Sequence, residues 1–423
     1  MEPESGAVDK MTGLKNQVLH IKRRIYQVSE YWYTGMLVIL TIYAVLSYVQ
    51  IDIVWEELGA GIPVVQFLVT YFLLKPNHVL LVLAVIRHLC ADKYDMRVSV
   101  AAAVIYLITA HAVKMNYYDE VLMMILLMIG AWGISFRKLI KIYFVTVLTV
   151  VAGVIAASQF GWIEELVYET RGGRRAFGFT YPTRFASHIF FLMLWYWFLR
   201  GKKLRCREAL LPVAAGIFVQ ICSKARLNAA ALLLLAVVMV WQASAFRRSE
   251  QKGLEYQMKG GLSSCLSLSP IFAALVITLM TVLYSSDNEV WHSLNKIMSS
   301  RLSLGQSGMD IYGFQMWGQK IILSGNGGIG ETASKYFYID SAWIQFSLQY
   351  GLVMLVILLL LFWTVGIRAK NHGSWILLWI LAFASLHAMV EPQMIRLQYN
   401  LLILAVFAGL DTNDTGKKDY EKD

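Results

Sequence analysis

Residues 340–363 read DSAWIQFSLQYGLVMLVILLLLFW. The apolar part of this stretch is long enough to cross a bilayer as an α-helix, for which about 20 apolar residues suffice. A polar segment, residues 287–340, separates it from the preceding apolar run. The sequence therefore predicts a large loop on one face of a membrane, followed by a helix that enters the membrane at Asp340 and Ser341.

The composition excludes a soluble globular protein. Hydrophobic residues make up 57% of the 423 residues and charged residues 16%, and the mean hydropathy is +0.54, which a soluble chain of this length would not tolerate. We predict an all-α polytopic membrane protein with about 12 transmembrane helices. The apolar runs that predict these helices are 33–50, 61–86, 97–114, 118–135, 139–158, 183–199, 208–222, 226–243, 268–286, 341–365, 374–390 and 396–411.

The run 61–86 leaves two alternatives open. The sequence KPNH at residues 75–78 interrupts it, and a proline inside a helix removes a hydrogen bond and clashes with the preceding turn. This run is therefore either one broken crossing or two short ones.

The distribution of basic residues predicts the orientation. With 61–86 as one crossing and the N-terminus inside, 25 of the 38 lysines and arginines fall in cytoplasmic segments and 12 on the other face, with Lys75 in the break. Because cytoplasmic loops carry the excess of lysine and arginine, we expect both termini in the cytoplasm. The net charge of +10 then reflects topology and implies no nucleic-acid partner.

This orientation divides the chain into segments. The N-terminal segment has no apolar core or cleavage site of a signal peptide, so the first crossing is expected to stay as an anchor. The four cysteines lie in apolar or cytoplasmic segments, which implies no disulfide framework. The predicted segments are 1–32, cytoplasmic; 33–286, transmembrane helices with an outer loop at 159–182; 287–340, a large extracytoplasmic loop; 341–411, the last three transmembrane helices; and 412–423, a cytoplasmic tail.

The outer loop 159–182 leads into an arginine-rich sequence, RGGRRAFGFTYPTRFA at residues 171–186. Arg171, Arg174 and Arg175 fall on the face where positive charge is otherwise scarce. One interpretation is nonspecific binding of lipid phosphates. The other is a site for an anion such as pyrophosphate, because guanidinium groups match phosphate oxygens in pairs.

Further basic residues fall on the same face. Arg184 opens the next crossing, and His188 follows one turn later on the same side of that helix. The short turn SKAR at 223–226 contains Lys224 and Arg226, which either point into the bundle or extend to lipid headgroups.

The loop 287–340 contains an amphipathic part, residues 291–302, that is too short to span and is expected to lie along the membrane as a lid or shelf. Arg301 lies in this part. The sequence GNGGIG at 325–330 is preceded by no strand and followed by no Lys-Ser or Lys-Thr, so it indicates a tight turn rather than a nucleotide site.

Two acids lie at the predicted outer rim. Asp340 and Ser341 open a crossing, where both residue types are favoured helix caps. Asp340 is also placed to accept a proton from a substrate hydroxyl. In the last outer turn, Glu391 and Arg396 are either an interfacial ion pair or part of the same site.

This order of motifs resembles that of the O-antigen ligase and O-antigen (Wzy-type) polysaccharide polymerase family. The resemblance implies a GT-C-like membrane glycosyltransferase architecture, with a large outer loop. The likeness covers most of the chain from about residue 115 onward. At the first motif, Tyr181 and Thr183 stand where the family usually has histidine and asparagine. The matching parts are RRAFGFTYPTRFA at 174–186; SKAR at 223–226, similar to a second arginine motif; the loop from Arg301 to the GNG at 325–327; and Asp340 and Ser341, then nine residues, then Gly351.

The residue at position 340 departs from the ligase pattern. The ligases have a histidine there as the base, whereas an aspartate is typical of the polymerases, so the resemblance favours a polymerase. It implies catalytic roles for Asp340, Arg174, Arg175 and Arg226. The substrate-binding residues that it implies are Arg171, Arg184, His188, Lys224, Arg301, Ser341, Glu391 and Arg396.

The implied reaction transfers a glycan from an undecaprenyl pyrophosphate carrier to a lipid-linked repeat unit at the outer face of the bacterial cytoplasmic membrane. The implied partners are this lipid-linked oligosaccharide, membrane lipids and other polysaccharide assembly proteins. No cofactor is expected, and no metal, because no outer loop carries an Asp-x-Asp or a His and carboxylate cluster. The alternatives are a ligase with a lipid, protein or wall acceptor and, less favoured, a flippase or transporter.

Overall fold

The computed structural model describes residues 4–51, 63–91, 95–116, 119–169, 172–325 and 337–410. These residues are mostly helical, with one short two-stranded sheet. The α-helices are α1 Glu4–Leu46, α2 Pro63–Val69, α3 Asn77–Cys90, α4 Met96–Asn116, α5 Glu120–Gly130, α6 Phe136–Gln159, α7 Pro182–Arg200, α8 Leu210–Cys222, α9 Arg226–Gln251, α10 Gly260–Ser267, α11 Ser269–Val282, α12 Glu289–Ile297, α13 Arg301–Tyr312, α14 Ala342–Asn371 and α15 Trp375–His387. The strands are β1 Val167–Tyr168 and β2 Arg174–Arg175, which pair antiparallel.

Several helices are long and apolar enough to cross a membrane. Within the described ranges these are α1, α4, α6, α9 and α14, or up to 7 spans if the bent pairs α2 with α3 and α10 with α11 each form one. Many exposed positions on these helices are apolar, such as Val145 on α6 and Val237 on α9, as expected where a helix faces lipid. The prediction of an all-α membrane protein is therefore confirmed, whereas the number of 12 crossings stays a prediction.

The run 61–86 is bent at the predicted interruption. A π-helical turn, Thr70–Leu74, continues α2, and α3 then begins at Asn77, with an angle of 73° between the two pieces. The bend is placed at a proline, which cannot continue the hydrogen-bond ladder of a helix. Near the other end of α3, a guanidinium nitrogen of Arg87 lies 3.2 Å from Oγ of Ser29 on α1.

Helix α14 is broken at Gly351, where φ is +85°. A Cβ at this position would lie 2.5 Å from the carbonyl oxygen of Met316, so the close approach of the two backbones requires glycine. The amide of Leu352 donates to the carbonyl of Gln315 at 2.9 Å, and that of Val353 donates to Met316 at 3.2 Å. The loop before α14 therefore satisfies backbone amides that the break leaves without helical partners.

The last predicted crossing, 396–411, does not form an α-helix. Its regular part is a 3₁₀ helix, Leu402–Val406. Arg368 on α14 donates to backbone carbonyls of this segment, including those of Val406 at 2.5 Å and Ala408 at 3.0 Å. The segment is buried, and these side-chain hydrogen bonds satisfy carbonyls that an α-helix would bond internally.

Segments that are distant in sequence meet at one end of the bundle, which we call the loop end. They are the chain before α7, the turn before α9, the region of α12 and α13, the chain before α14 and the chain after α15. Asn288 caps α12, since its Oδ1 accepts hydrogen bonds from Val290 at 3.0 Å and Trp291 at 3.3 Å. The predicted amphipathic part, 291–302, forms α12 and the first residues of α13.

Candidate active site

One cavity at the loop end is lined by charged side chains from five separate segments. Its volume is about 220 Å³. We call it the arginine cavity, and its charged lining residues are Arg174, Arg226, Arg301, Asp340 and Glu391. The structure thus brings together five of the residues that the sequence singled out, although they span more than half of the chain.

Arg174 is held in place by its strand and by the neighbouring turn. It is 5% exposed and pairs through β2 with Tyr168 on β1. Its Nε donates to the carbonyl of Ser223 at 3.1 Å, and Nη1 donates to the hydroxyl of Tyr181 at 3.3 Å. The guanidinium therefore connects the loop before α7 to the turn before α9, with its orientation fixed.

Arg175 does not line the arginine cavity. Successive residues of a strand point to opposite faces, so Arg175 faces away from Arg174 and donates to Glu165 at 2.7 Å and to Gln159 at 2.9 Å. Burial alone would raise the pKa of Glu165, but hydrogen bonds from Arg175 and Gln159 outweigh it and lower this pKa. Arg171, also predicted in this loop, lies outside the described residues.

The turn before α9 separates its two cations. Lys224 has a positive φ of 50°, and its Nζ donates to the carbonyl of Gly172 at 2.5 Å, so it binds the loop before α7. Arg226, the first residue of α9, is exposed and lines the cavity. Within the described ranges, no hydrogen bond or ion pair occupies its guanidinium. Arg226 is thus available to a ligand.

Arg301 lies between two acids. It follows the left-handed residues 299–300, and its Nε donates to the carbonyl of Val390 at 3.0 Å. Its Nη2 lies 3.1 Å from Oε1 of Glu391, and its Nε lies 3.7 Å from Oδ2 of Asp340. Both side chains of the longer pair are largely shielded from solvent, and a single guanidinium lies beside two carboxyl groups.

The two acids have raised pKa values because they are buried. Burial raises the pKa of Asp340, and the charge of Arg301 partly offsets this. Burial likewise raises the pKa of Glu391 to about 7, with Asp340 adding to the shift while Arg301 and Arg174 oppose it. Ionisation of both acids at once is disfavoured because like charges repel. The three arginines therefore give the cavity an excess of positive charge, which suits an anion.

The structure does not support a capping role for Asp340. Ser341 occupies the cap position of α14, and its side chain makes no capping hydrogen bond. The first amide of the helix, that of Ala342, instead donates to the carbonyl of Ala388 at 2.8 Å. Ser341 is 1% exposed and its Oγ lies 3.5 Å from the same carbonyl. Among the residues described, Arg301 is the polar partner of the Asp340 carboxylate.

The other predicted residues lie beside the cavity rather than in its lining. The guanidinium of Arg184 stacks 4.1 Å from the ring centre of Tyr48, and Arg396 donates to the hydroxyl of Tyr48 at 2.8 Å. His188 is 1% exposed, and its ring packs 4.3 Å from that of Tyr399. These three residues pack against tyrosines and are not part of the lining of the arginine cavity.

Asn228 was not singled out by the sequence. It lies two residues after Arg226, is 1% exposed and lines the cavity. Its Oδ1 lies 2.9 Å from Nε2 of His387, whereas its Nδ2 has no partner among the described residues. A polar residue in the first turn of an apolar run, next to an arginine, was the available signal.

Over the part of the chain that the structure describes, no group of three or more His, Cys, Asp or Glu side chains could hold a metal ion. The metal independence of the reaction stays a prediction. The glycine-rich segment 325–330 lies, after Gly325, outside the described residues.

The functional conclusion rests on the residues of the arginine cavity, because one fold can host unrelated activities. Its arrangement can bind an anion through Arg226, with Arg174 and Arg301 held rigidly beside it. It can also accept a proton at Asp340. Comparisons of the chain with family models, with curated proteins and with solved structures gave no match.

Proposed function

We propose that this chain is a membrane glycosyltransferase that polymerises a bacterial polysaccharide, such as an O-antigen, a capsule or an exopolysaccharide. It transfers the glycan of an undecaprenyl pyrophosphate-linked donor to a lipid-linked repeat unit. The observation that carries this proposal is the convergence of three arginines and two acids from five segments on one cavity. An arginine-rich cavity with a carboxylate at its wall suits the transfer of a group from pyrophosphate.

The arginines supply electrostatic stabilisation of the leaving group. As the bond between the anomeric carbon and the pyrophosphate oxygen breaks, negative charge develops on that oxygen. Guanidinium groups that are already oriented stabilise this charge without reorganisation. Arg174 and Arg301 are fixed by backbone carbonyls, and Arg226 is open to the ligand. No metal is needed for this step.

Asp340 is the proposed general base. The acceptor hydroxyl oxygen forms the new bond to the anomeric carbon, its proton passes to Asp340, and the lipid pyrophosphate leaves with the electron pair of the broken bond. Burial raises the pKa of Asp340, which makes this carboxylate a better proton acceptor than an exposed one. Arg301, at 3.7 Å, orients it.

We also propose about 12 crossings, which the apolar runs predict, and a GT-C-like architecture, which the resemblance implies. Both termini lie in the cytoplasm and the loop end lies outside, as the basic residues favour. The exposed positions Trp162 and Val290 lie at the loop end, and the exposed Leu254 lies between α9 and α10. In a cysteine-free background, Trp162→Cys and Val290→Cys should react with a membrane-impermeant thiol reagent in intact cells. Leu254→Cys should react only after lysis, and the reverse pattern contradicts this topology.

The decisive experiment is reconstitution. The purified chain is placed in liposomes with undecaprenyl pyrophosphate-linked repeat units, and the products are separated by gel electrophoresis. A ladder of increasing length is expected from a polymerase. A single transfer to an added lipid, protein or wall acceptor would instead show the ligase reaction. Movement of the lipid-linked glycan across the bilayer without any new glycosidic bond would show a transporter.

A further inference from the structure

Two further cavities lie behind the arginine cavity. Their volumes are about 110 Å³ and about 300 Å³, and Glu120 lines both. The smaller contains Gln345 and Arg396, and the larger contains Asn77 and Gln398. We call the two cavities together the amide groove, because neutral amide side chains make up much of their polar lining.

The amide groove contains polar groups without partners. Gln398 is 1% exposed, yet neither its Oε1 nor its Nε2 is hydrogen-bonded to any described residue, and Oδ1 of Asn77 is likewise unbonded. Buried polar groups in proteins are nearly always hydrogen-bonded, because burying one without a partner costs free energy. An amide needs both a donor and an acceptor, and a ligand hydroxyl provides both.

The charge in the groove argues against a second phosphate site. Arg396 is its one lining arginine among the described residues, and the negative charge of Glu120 acts on it. Its guanidinium is already bound, since Nε donates to the carbonyl of Pro392 at 2.9 Å and Nη1 to Tyr48 at 2.8 Å. Asp119 also lines the larger cavity, so the groove has no excess of positive charge. With amides around these groups, it suits a neutral polyhydroxyl ligand, in contrast to the cationic arginine cavity.

The proposed base lies in the wall between the two regions. Asp340 lines the arginine cavity, whereas Gln345, on the helix that begins two residues after Asp340, lines the amide groove. The same holds after α15, where Glu391 faces the arginine cavity and Pro392 faces the groove. A ligand in the groove therefore lies next to the segment that carries the proposed base.

We propose that the amide groove binds the sugar residues of the acceptor, with Gln398, Gln345 and Glu120 hydrogen-bonding to its hydroxyl groups. The identification of the bound sugar as the acceptor rests on the proposed function. The inference that the groove binds a sugar rests on the residues of the groove itself. The pyrophosphate of the donor then occupies the arginine cavity, and the hydroxyl that reacts comes from the groove side of Asp340.

The test uses the purified full-length chain and saturation-transfer NMR, without donor or turnover. The probes are methyl glycosides of a hexose, a 6-deoxyhexose, an N-acetylhexosamine and a hexuronic acid. Gln398→Leu and Gln345→Leu keep the approximate side-chain volume and remove the hydrogen bonds. Gln242→Leu is the matched control, because Gln242 is also a buried glutamine but lies on α9 outside both cavities.

We expect the wild-type chain to bind at least one glycoside, with an affinity at least about tenfold lower in both groove variants, as the loss of a hydrogen bond inside a site predicts. Gln242→Leu should bind as the wild type does. Equal binding by the groove variants, or no binding of any probe by the wild type, overturns the assignment.

The outcome is separable from that of the polymerase. Ladder formation together with unchanged glycoside binding in the groove variants would contradict the sugar-binding role of the groove and support the polymerase activity. Weakened binding in those variants together with no ladder would support the sugar-binding role and contradict the polymerase activity.

Discussion

Nε of Arg301 lies 3.7 Å from Oδ2 of Asp340. The same guanidinium also holds Glu391, with Nη2 at 3.1 Å from its Oε1. Because Arg301 is anchored to the carbonyl of Val390, its guanidinium stays between the two acids. The role of Asp340 as a base can therefore be tested by a substitution that leaves Arg301 and Glu391 unchanged.

Asp340→Asn should insert and fold normally and lose most of its activity. The structure shows no capping hydrogen bond for the substitution to break, whereas a neutral amide cannot accept the hydroxyl proton. A positioned base is typically worth about 100-fold to 10,000-fold in rate. Ladder formation from lipid-linked repeat units measures the loss, and gel filtration checks the fold.

The control for this variant is Asp310→Asn. Asp310 is an exposed carboxylate on α13, near the site in sequence but absent from the cavity lining, and its loss should leave the rate unchanged. Wild-type polymer formation by Asp340→Asn would show that Asp340 is not the base.

Arg226→Gln should lower the apparent affinity for the donor without lowering thermal stability. Its guanidinium is exposed and makes no bond to the described chain, so folding loses nothing, while a charge-assisted hydrogen bond to pyrophosphate is lost. Such a bond is worth about 1.5–3 kcal/mol, or roughly 10-fold to 100-fold in kcat/KM. Arg226→Lys should recover little of it, since a point charge cannot replace the planar fork.

Arg175→Gln provides the comparison within the loop before α7. Arg175 pairs with Glu165 on the face away from the cavity, and exposed ion pairs contribute about 0–1 kcal/mol. Activity within a fewfold of wild type is expected. A loss as large as that of Arg226→Gln would contradict the conclusion that Arg174 faces the cavity and Arg175 faces away from it.

The sequence predicted the membrane class and most of the charged cavity lining, because hydropathy and the position of each charge are local properties. It did not predict that Arg175 faces away from Arg174. That follows from the pairing of β1 with β2, strands of two residues each with no recognisable pattern. Nor could it predict that Arg301 binds Glu391, 90 positions later, since such contacts depend on how the helices pack.

The segment 396–411 shows a different limit. Its apolar composition predicts a spanning helix, but the structure replaces the helix by a 3₁₀ segment whose carbonyls bind Arg368. Hydrogen bonds from an arginine on another helix stabilise this local conformation. Hydropathy measures burial in this case, and it cannot distinguish burial in lipid from burial in protein.

Gly351→Ala should destabilise the chain. Its φ of +85° is unfavourable for an L-residue, and the added Cβ would meet the Met316 carbonyl oxygen at 2.5 Å, so the helix break and the loop packed on it cannot both persist. The strain alone is worth about 1–3 kcal/mol. A thermal-shift assay in detergent should report a lower melting temperature.

Gly153→Ala is the matched control for that substitution. Gly153 lies inside α6, and a Cβ there meets nothing within 4 Å. Alanine favours the helix by about 1 kcal/mol over glycine, so this variant should be as stable as the wild type or more stable. Equal stability of both variants would show that Gly351 does not need its conformation.

The last prediction concerns how stability depends on pH through Glu391. Burial raises its pKa from 4.5 to about 7, so between these values the folded chain keeps a proton that the unfolded chain has lost. The stability that this proton contributes is fully present below about pH 4.5 and is lost as the pH rises through about 7. The slope is negative, up to about 1.4 kcal/mol per pH unit for one proton.

Glu391→Gln cannot ionise, so its melting temperature should fall less steeply than that of the wild type as the pH rises across this window. Glu165→Gln is the control of opposite sign. The pKa of Glu165 is lowered in the folded chain, so its contribution is present above the ordinary value of 4.5 and is lost as the pH falls through the folded pKa. Removing Glu165 should therefore lower stability by a constant amount above pH 4.5 and change the slope of the profile at acidic pH alone. If Glu391→Gln and the wild type have parallel melting profiles between pH 4.5 and 7, Glu391 is ionised in the folded chain, and the arginine cavity carries less positive charge than the proposed binding of pyrophosphate requires.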